Sequence, residues 1–299
     1  MNHPTPKNIA EYLDQLRREL RGADPAMIQD ALYDAEEHLR AELAENPRQS
    51  EAEMLARVTA SYGAPDEVAE IYRVKEGEVE HAIRPQRPRP QKSALGKFFG
   101  VAADPRSYAA LFYMLLALAT GIFYFTVVVT GLSMSIGFSI LIIGIPFIIL
   151  FFGIVRVLAL VEGRLVEAML GVRMPRRPAY PAQNQTIWQR IGAMFTDPRT
   201  WSTLLYMLLM LPLGVTYFSV AVTGLTTSIA LIVAPFAQFF SDGGINFELG
   251  PFDTLPMWAT PLISVIGIAL LFATLHLARG VGHLHAQLAR HLLVQSAEK

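Results

Sequence analysis

The sequence predicts an all-α protein in which a small cytoplasmic helical domain precedes a membrane domain with four full spans. Two observations support this fold class. Apolar residues recur at helical spacing through residues 8–73, which is typical of amphipathic helices. Residues 107–155 contain no Asp, Glu, Lys or Arg, and this stretch is too long for one span of about 20 residues but suits two. Because backbone groups inside a bilayer must satisfy one another, we expect these spans to be helices.

Composition separates the two parts of the chain. The 299 residues include no cysteine, which excludes disulfides, thiolate metal sites and a cysteine nucleophile. Residues 1–73 hold fifteen acids against eight bases, although the whole chain has a net charge of only −1. The excess positive charge therefore lies with the membrane part. Residues 1–20 lack the apolar core of a signal peptide, so we expect the N-terminal domain to stay in the cytoplasm.

Residues 1–73 are predicted to form four short helices, each bounded by residues that cap or stop helices. Asp24 is the expected N-cap of the second helix, and Pro25 lies in its first turn. Ser50 and Glu53 have the spacing of a capping box at the start of the third helix. The predicted helices cover about 8–20, 24–45, 50–63 and 65–72.

This N-terminal pattern resembles the HAAS domain, a small bacterial signalling domain often encoded beside PadR-type transcription regulators. The resemblance implies a regulatory interaction with a cytoplasmic protein, for example a PadR-type regulator, and not catalysis. We expect no direct contact with nucleic acid. A solvated helical bundle without a partner is the alternative. The segments that carry the resemblance are Tyr12-Leu13 with Leu16, Tyr33 with His38-Leu39, and Tyr62-Gly63-Ala64-Pro65-Asp66-Glu67-Val68-Ala69.

Residues 74–96 are predicted to be a linker rich in proline and arginine. Closely spaced prolines disfavour a helix there and favour an extended chain. Four bases in the linker lie shortly before the first span, and each is expected to gain roughly 1 kcal/mol from anionic lipid near the membrane surface. A spacer that also acts as a topology signal is the interpretation we place first. The four basic residues are Arg84, Arg87, Arg89 and Lys92.

The membrane part is an internal duplication with an offset of 93 residues. So many identical residues at one constant offset indicate two copies of a helical hairpin. The first copy lies within residues 97–177 and the second within 178–299. The matched segments include 104–106 with 197–199, 113–116 with 206–209, and 129–132 with 222–225.

Each copy is predicted to contribute two spans. The first hairpin should turn at Gly131–Ser135, and Pro146 should kink its second span. In the second copy, residues 226–239 are apolar but short, which favours a half-helix or an interfacial segment, and residues 241–256 are predicted to be an external loop. The four predicted spans are about 108–130, 136–159, 201–224 and 257–279.

The distribution of bases predicts the orientation of the spans. Seven arginines lie between the second and third spans or at their ends, whereas the loop 241–256 holds acids and no base. The positive-inside rule then gives a multi-pass protein of the bacterial cytoplasmic membrane with both termini cytoplasmic. Because both hairpins start inside, the repeat is parallel, unlike the inverted repeats common in transporters.

Residues 97–293 resemble the membrane sensor domain found ahead of many bacterial histidine kinases. About 20 residues follow the fourth predicted span, which is too few for a phosphoacceptor helix and an ATP-binding domain. The resemblance therefore implies sensing or coupling without phosphotransfer. The segments that carry it are 104–106, 129–132, Pro146-Phe147, Glu162-Gly163-Arg164 and Leu170-Gly171.

Polar residues repeated in the first and third spans are candidates for a small intramembrane pocket. Bonding to neighbouring helices is the more common role of such groups, and we place it first. No acid or base occurs within the spans before Arg156, which argues against an ion-coupled transporter. The candidate residues are Tyr124, Thr126 and Thr130, and their repeat equivalents Tyr217, Ser219 and Thr223.

Four histidines near the C-terminus and three acids in the predicted external loop are candidate ligand sets. Haem or metal ligation by the histidines is one interpretation, and a polar face on a helix that leaves the membrane is the one we favour. We likewise favour a solvated loop over a cation site for the acids, so no cofactor or metal is predicted. The residues concerned are His276, His283, His285 and His291, and Asp242, Glu248 and Asp253.

The sequence contains no glycine-rich phosphate loop, nucleophile elbow or zinc-binding histidine pair. The favoured function is a non-enzymatic membrane sensor or signalling adaptor, in which a stimulus at the membrane changes the contacts of the helical domain with a regulator. A structural or accessory subunit of a membrane assembly, such as a transporter complex, is the alternative. A homo-oligomer is compatible with either function.

Overall fold

The structure is a computed structural model, and it describes residues 6–46, 48–83, 94–140, 144–175, 192, 195–241 and 260–294. These residues are mainly α-helical and include no strand, which confirms the predicted fold class. The chain divides into two compact units. The first unit comprises Met1–Gln86, Gly131–Tyr206 and Gln287–Lys299, and the second comprises Arg87–Thr130 and Met207–Ala286.

The helical domain in the first unit begins each of its first three helices with a side-chain cap. Asn8, Asp24 and Ser50 accept hydrogen bonds from backbone N–H groups, and the Ser50–Glu53 capping box is present in both directions. The helices are α1 (Ile9–Glu19), α2 (Pro25–Glu45), α3 (Glu51–Val58) and α4 (Pro65–Ile83).

Helix α4 is longer than predicted, because it continues to Ile83. Residues 74–83 of the predicted linker are therefore helical. The four linker bases Arg84, Arg87, Arg89 and Lys92 lie outside the described residues.

The core of the helical domain is formed by the apolar faces of all four helices. Tyr12 is completely buried, and its hydroxyl donates to the carbonyl of Gly63 at 2.9 Å. Gly63 has a φ of +110°, a conformation that L-residues with a side chain rarely adopt. This turn therefore positions the start of α4 against α1. Other buried core residues are Leu16, Leu20, Met27, Leu39, Met54, Leu55 and Val58.

Four further helices are long and apolar enough to cross a membrane, so the chain is a multi-pass membrane protein. A short helix, α5 (Ala94–Phe99), and a 3₁₀ turn at Gly100–Ala103 precede them. The four long helices are α6 (Pro105–Phe138), α7 (Gly144–Leu170), α8 (Pro198–Ser241) and α9 (Thr260–Leu293).

The two copies of the repeat begin in the same way. Asp104 accepts from the backbone N–H of Arg106 at 3.1 Å, and Asp197 accepts from that of Arg199 at 3.0 Å. In both copies the proline that follows the aspartate is the first helical residue. The duplicated segment is thus a helix start with a carboxylate cap.

The predicted turn at Gly131–Ser135 is wrong, because α6 continues through it to Phe138. A Cβ atom at Gly131 would lie 2.2 Å from the ring of Phe151, so this glycine permits close packing and does not form a turn. The hydroxyl of Ser135 donates to the carbonyl of Gly131 at 2.7 Å, within the helix. The chain leaves the helix after Phe138 instead.

The structure also corrects three other predictions about the membrane part. Pro146 is the third residue of α7, and the N–H groups of a first turn have no helical acceptor, so no mid-span kink arises there. Residues 226–239 are not a separate half-helix, because α8 is continuous to Ser241. The fourth span is part of α9, which continues well beyond residue 279 to Leu293. The residues of the predicted external loop after Ser241 lie outside the described residues.

Candidate functional site

The end of α7 carries an arginine that binds two helices of the helical domain. Gly171 ends α7 with a φ of +69°, and its N–H donates to the carbonyl of Glu167 at 3.1 Å. Arg173 follows two residues later. Its guanidinium lies 3.5 Å from a carboxylate oxygen of Asp30 on α2 and 3.4 Å from one of Glu76 on α4. A single side chain therefore connects α7 to both α2 and α4.

These three side chains are largely shielded from solvent. The exposed fraction is 13% for Arg173, 7% for Asp30 and 19% for Glu76. Ion pairs at this depth are weakly screened by salt. Loss of one partner leaves the remaining charge poorly solvated, which costs more than loss of a surface pair.

A second ion pair connects the end of α9 to the helical domain. Arg290 lies 3.0 Å from one carboxylate oxygen of Asp24, and the other oxygen accepts from the backbone N–H of Ala26 at 2.9 Å. Asp24 thus caps α2 and binds Arg290 at the same time. Because Arg290 is 45% exposed, its ion pair is expected to contribute less than the pairs of Arg173. We call Asp24, Asp30, Glu76, Arg173 and Arg290 the charged junction.

A cleft of about 770 Å³ lies beside the charged junction. Four arginines and two acids line it, so positive charge predominates along its wall. One of these arginines, Arg73, also donates to the carbonyl of Glu19 at the end of α1. The charged lining residues are Arg21, Asp24, Arg73, Glu76, Arg173 and Arg290.

Helix α4 is held in place against α2 one turn before Glu76. The hydroxyl of Tyr72 donates to a carboxylate oxygen of Asp34 on α2 at 2.9 Å. Burial, together with this hydrogen bond, raises the pKa of Tyr72 above its ordinary value. Tyr72 is therefore a neutral donor at physiological pH, and it fixes the helix that presents Glu76 to Arg173.

Helix α7 also carries a buried carboxyl group, Glu162, which is completely buried. The hydroxyl of Tyr206 on α8 donates to it at 2.9 Å. Tyr206 was marked in the sequence only as a member of the repeat, the equivalent of Tyr113. The helix that ends at the charged junction is thus also attached to α8 by a buried polar contact.

In the second unit, His285 is the polar group at the centre of a small cluster. Its exposed fraction is 1%. The hydroxyl of Tyr113 lies 2.6 Å from Nε2, and that of Tyr217 lies 3.4 Å from Nδ1. The prediction that the C-terminal histidines share a polar face is wrong for His285, because the tyrosines of two other helices surround it.

The other three C-terminal histidines are exposed. His276 contacts the carbonyl of Phe98 at 3.0 Å through Nε2, so the four histidines do not converge. No group of three or more potential metal ligands occurs among the described residues. The three loop acids Asp242, Glu248 and Asp253 lie outside them.

The six candidate pocket residues are not gathered into one site. Tyr124 is buried, and Tyr217 is half-buried beside His285. Thr126 is exposed, and its hydroxyl donates to the carbonyl of Ile122 within its own helix at 2.7 Å. Thr130, Ser219 and Thr223 are also exposed. Tyr217 contacts the His285 cluster.

Comparison with known families gives two matches. Residues 113–293 match the family described as Putative sensor, and residues 11–71 match the HAAS family. The chain belongs to the Putative sensor family. No curated protein and no solved structure matches it. Both matched domains are of signalling kinds that are not catalytic.

In this Sensor-family chain, the charged junction connects the two matched regions. Asp24 and Asp30 lie in the HAAS match, Glu76 follows it on α4, and Arg173 and Arg290 lie in the Sensor match. Sequence reasoning missed these pairs because 143 residues separate Arg173 from Asp30, so no local spacing relates them. The only available signal was the glycine at 171, which predicts a helix end just before an arginine.

Proposed function

We propose that this chain is a non-enzymatic membrane sensor or signalling adaptor of the bacterial cytoplasmic membrane, with both termini in the cytoplasm. A stimulus in the membrane or outside it would shift the long helices, and the HAAS domain would respond by changing its contacts with a cytoplasmic regulator. The observation that carries the proposal is Arg173, which ties the end of a membrane helix to two helices of the HAAS domain.

The physical basis is a difference in binding free energy between two arrangements of the junction. A stimulus changes an equilibrium only through a differential interaction with its two states. A shift at the end of α7 changes the distances from Arg173 to Asp30 and Glu76. Because these charges are shielded from water, small changes in distance alter the energy more than they would at a solvated surface.

The regulator is proposed to bind near the outer face of α4. Ile71 and Val74 on this helix are 50% and 58% exposed, although both are apolar. They lie within two turns of Glu76, so a change at the junction can alter how this face is presented. A PadR-type regulator is the partner that the HAAS resemblance implies.

The proposal is tested by placing a photo-crosslinking residue at Val74 in the full chain and crosslinking in cells. We expect Arg173→Ala to change the yield of the crosslinked partner, because it frees the HAAS domain from α7. Arg18→Ala is the matched control, since Arg18 is an exposed arginine of the HAAS domain that pairs with the equally exposed Asp14. Equal yields for wild type and Arg173→Ala would refute coupling through the junction.

The same experiment separates the alternative function. A structural or accessory subunit would crosslink to a membrane partner in constant stoichiometry, whatever the junction variant. The absence of enzymatic activity is tested separately, by incubating purified protein with labelled ATP and magnesium. We expect neither incorporation nor release of label above a heat-treated control, and stoichiometric labelling of a histidine would restore a kinase-like role.

The linker bases Arg84, Arg87, Arg89 and Lys92 are proposed to hold the linker on anionic lipid at the cytoplasmic face. Their spacing and their position just before α5 support this proposal. The intramembrane pocket is retained only as a proposal for Tyr124 and Tyr217, the two candidates that are at least half-buried.

A further inference from the structure

A small cavity in the first unit lies where α7, the segment after Gly171 and the start of α8 meet. Its volume is about 60 Å³, several times the roughly 10–15 Å³ needed for the centre of one water molecule. The space is therefore large enough for a group of the size of a phosphate. Neither the proposed function nor the charged junction makes use of it.

Two arginines face this cavity, Arg156 of α7 and Arg199 of α8. Nη2 of Arg199 donates to the carbonyl of Leu293 at 3.3 Å. Its Nη1 is buried and has no hydrogen-bond partner among the described residues. A buried donor of a charged group without a partner is costly, and the site would be more stable with an acceptor beside it.

Only one acid among the described lining residues can offset these two charges. Asp197 already accepts from the backbone N–H of Arg199 as the cap of α8. The cavity also adjoins the N-terminus of a 44-residue helix, where the backbone dipoles favour an anion. Thr200 and Thr203, both buried, add hydroxyl groups to the lining. The chemistry of the polar wall thus suits a singly charged anion.

The rest of the wall is apolar. Phe152, Val155, Leu160, Met174 and Leu293 are among its apolar lining residues. The cavity lies at the N-terminal end of α8, and α8 is itself long and apolar enough to cross the membrane. An anionic group that enters here can therefore remain attached to a hydrocarbon chain that lies along the apolar wall.

We infer that this cavity binds the phosphate of an anionic phospholipid headgroup between Arg156 and Arg199, with the acyl chain against the apolar wall. Guanidinium groups bind phosphate oxygens through paired, charge-assisted hydrogen bonds. Nη1 of Arg199 provides a donor for this purpose. The inference does not depend on the proposed signalling function.

The test uses native mass spectrometry of the full chain in detergent, with phosphatidylglycerol and phosphatidylcholine added in equal amounts. We expect wild type to retain phosphatidylglycerol preferentially. Arg156→Gln and Arg199→Gln should each reduce this preference about tenfold, which corresponds to about 1.4 kcal/mol. Arg106→Gln is the matched control, because Arg106 is the repeat equivalent of Arg199 and does not line the cavity.

Three outcomes would overturn the inference. The first is an unchanged lipid preference in both cavity variants. The second is an equal loss in Arg106→Gln, which would indicate unspecific surface charge. The third is displacement of phosphatidylglycerol by millimolar inorganic phosphate, which would show that the chain-bearing lipid is not the ligand. Thermal melting of each variant checks its fold, and the half-buried Arg156 provides the informative variant if Arg199→Gln is unstable.

Discussion

The strongest test of the charged junction is the substitution Arg173→Ala. Each of its two ion pairs, at 3.5 and 3.4 Å, corresponds to a gross attraction of about 5 kcal/mol at an effective dielectric constant of 20. Desolvation offsets much of this attraction. Removal of one partner of a buried pair typically costs about 3–5 kcal/mol, because the other charge is left without compensation. Because the side chain of Glu76 is still 19% exposed, the expected cost of Arg173→Ala lies at the lower end of this range.

We therefore expect Arg173→Ala to weaken the attachment of the HAAS domain by about 3 kcal/mol, or somewhat more than a hundredfold in its opening equilibrium. Hydrogen exchange of the full chain in detergent, followed by mass spectrometry, measures this change. Exchange should accelerate in peptides that cover residues 171–175, while peptides from the core of the HAAS domain keep their protection. Asp30→Asn should cost less, because Arg173 retains Glu76 as a partner.

The control is Arg18→Ala, which breaks an ion pair with Asp14 that is exposed on both sides (53% and 60%) and should cost less than about 1 kcal/mol. If Arg173→Ala and Arg18→Ala change exchange at residues 171–175 equally, the charged junction does not hold the two regions together. Accelerated exchange throughout the HAAS core would also contradict the reasoning, because it would show that Arg173 supports the fold of that domain and not its attachment.

Three further predictions follow from other parts of the molecule. Gly121→Ala should destabilise the protein by about 3 kcal/mol in thermal melts, because the added Cβ would lie 2.4 Å from the carbonyl oxygen of Met210. Gly153→Ala is the control: the space around Gly153 is open, so this substitution should be neutral or stabilise the protein by up to about 1 kcal/mol. Burial raises the pKa of Tyr62 to about 12, so the folded state favours the neutral phenol. The resulting contribution of Tyr62 to the free energy of unfolding is fully present below about pH 10 and is lost as the pH rises from about 10 to about 12. Tyr62→Phe should therefore make unfolding less dependent on pH in that window, and an unchanged alkaline transition would contradict this assignment. Reporter fusions at residue 90 and at the C-terminus should give cytoplasmic signals, and a fusion within residues 243–250 should give an external signal. Any reversal of these signals would refute the predicted topology.

The elements that local chemistry specifies were predicted well. The Ser50–Glu53 capping box and the Asp24 cap depend on residues within one turn of each other, and both were confirmed. The long uncharged stretch in the membrane part was likewise sufficient to predict spans. These features need no knowledge of distant contacts, because the backbone groups at a helix start, or inside a bilayer, impose the same requirements in any fold.

Features that depend on distant packing were not predicted. Gly131 was interpreted as a turn, but its missing side chain accommodates Phe151, and nothing near Gly131 in the sequence indicates that neighbour. His285 was placed on a polar face, although Tyr113 and Tyr217 enclose it. In each case the identity of the packing partner decides the outcome, and a single sequence does not supply that partner.

The double role of Asp24 has a consequence for genetic screens. One of its carboxylate oxygens caps α2 and the other binds Arg290, so most substitutions at this position affect two traits at once. A screen for signalling-deficient alleles would recover changes at Asp24 together with a loss of protein abundance, and would class them as folding defects. Alleles at Arg290 leave the cap intact, so they separate the two phenotypes. Allelic series at these two positions, scored for abundance as well as output, would therefore reveal a role that either position alone conceals.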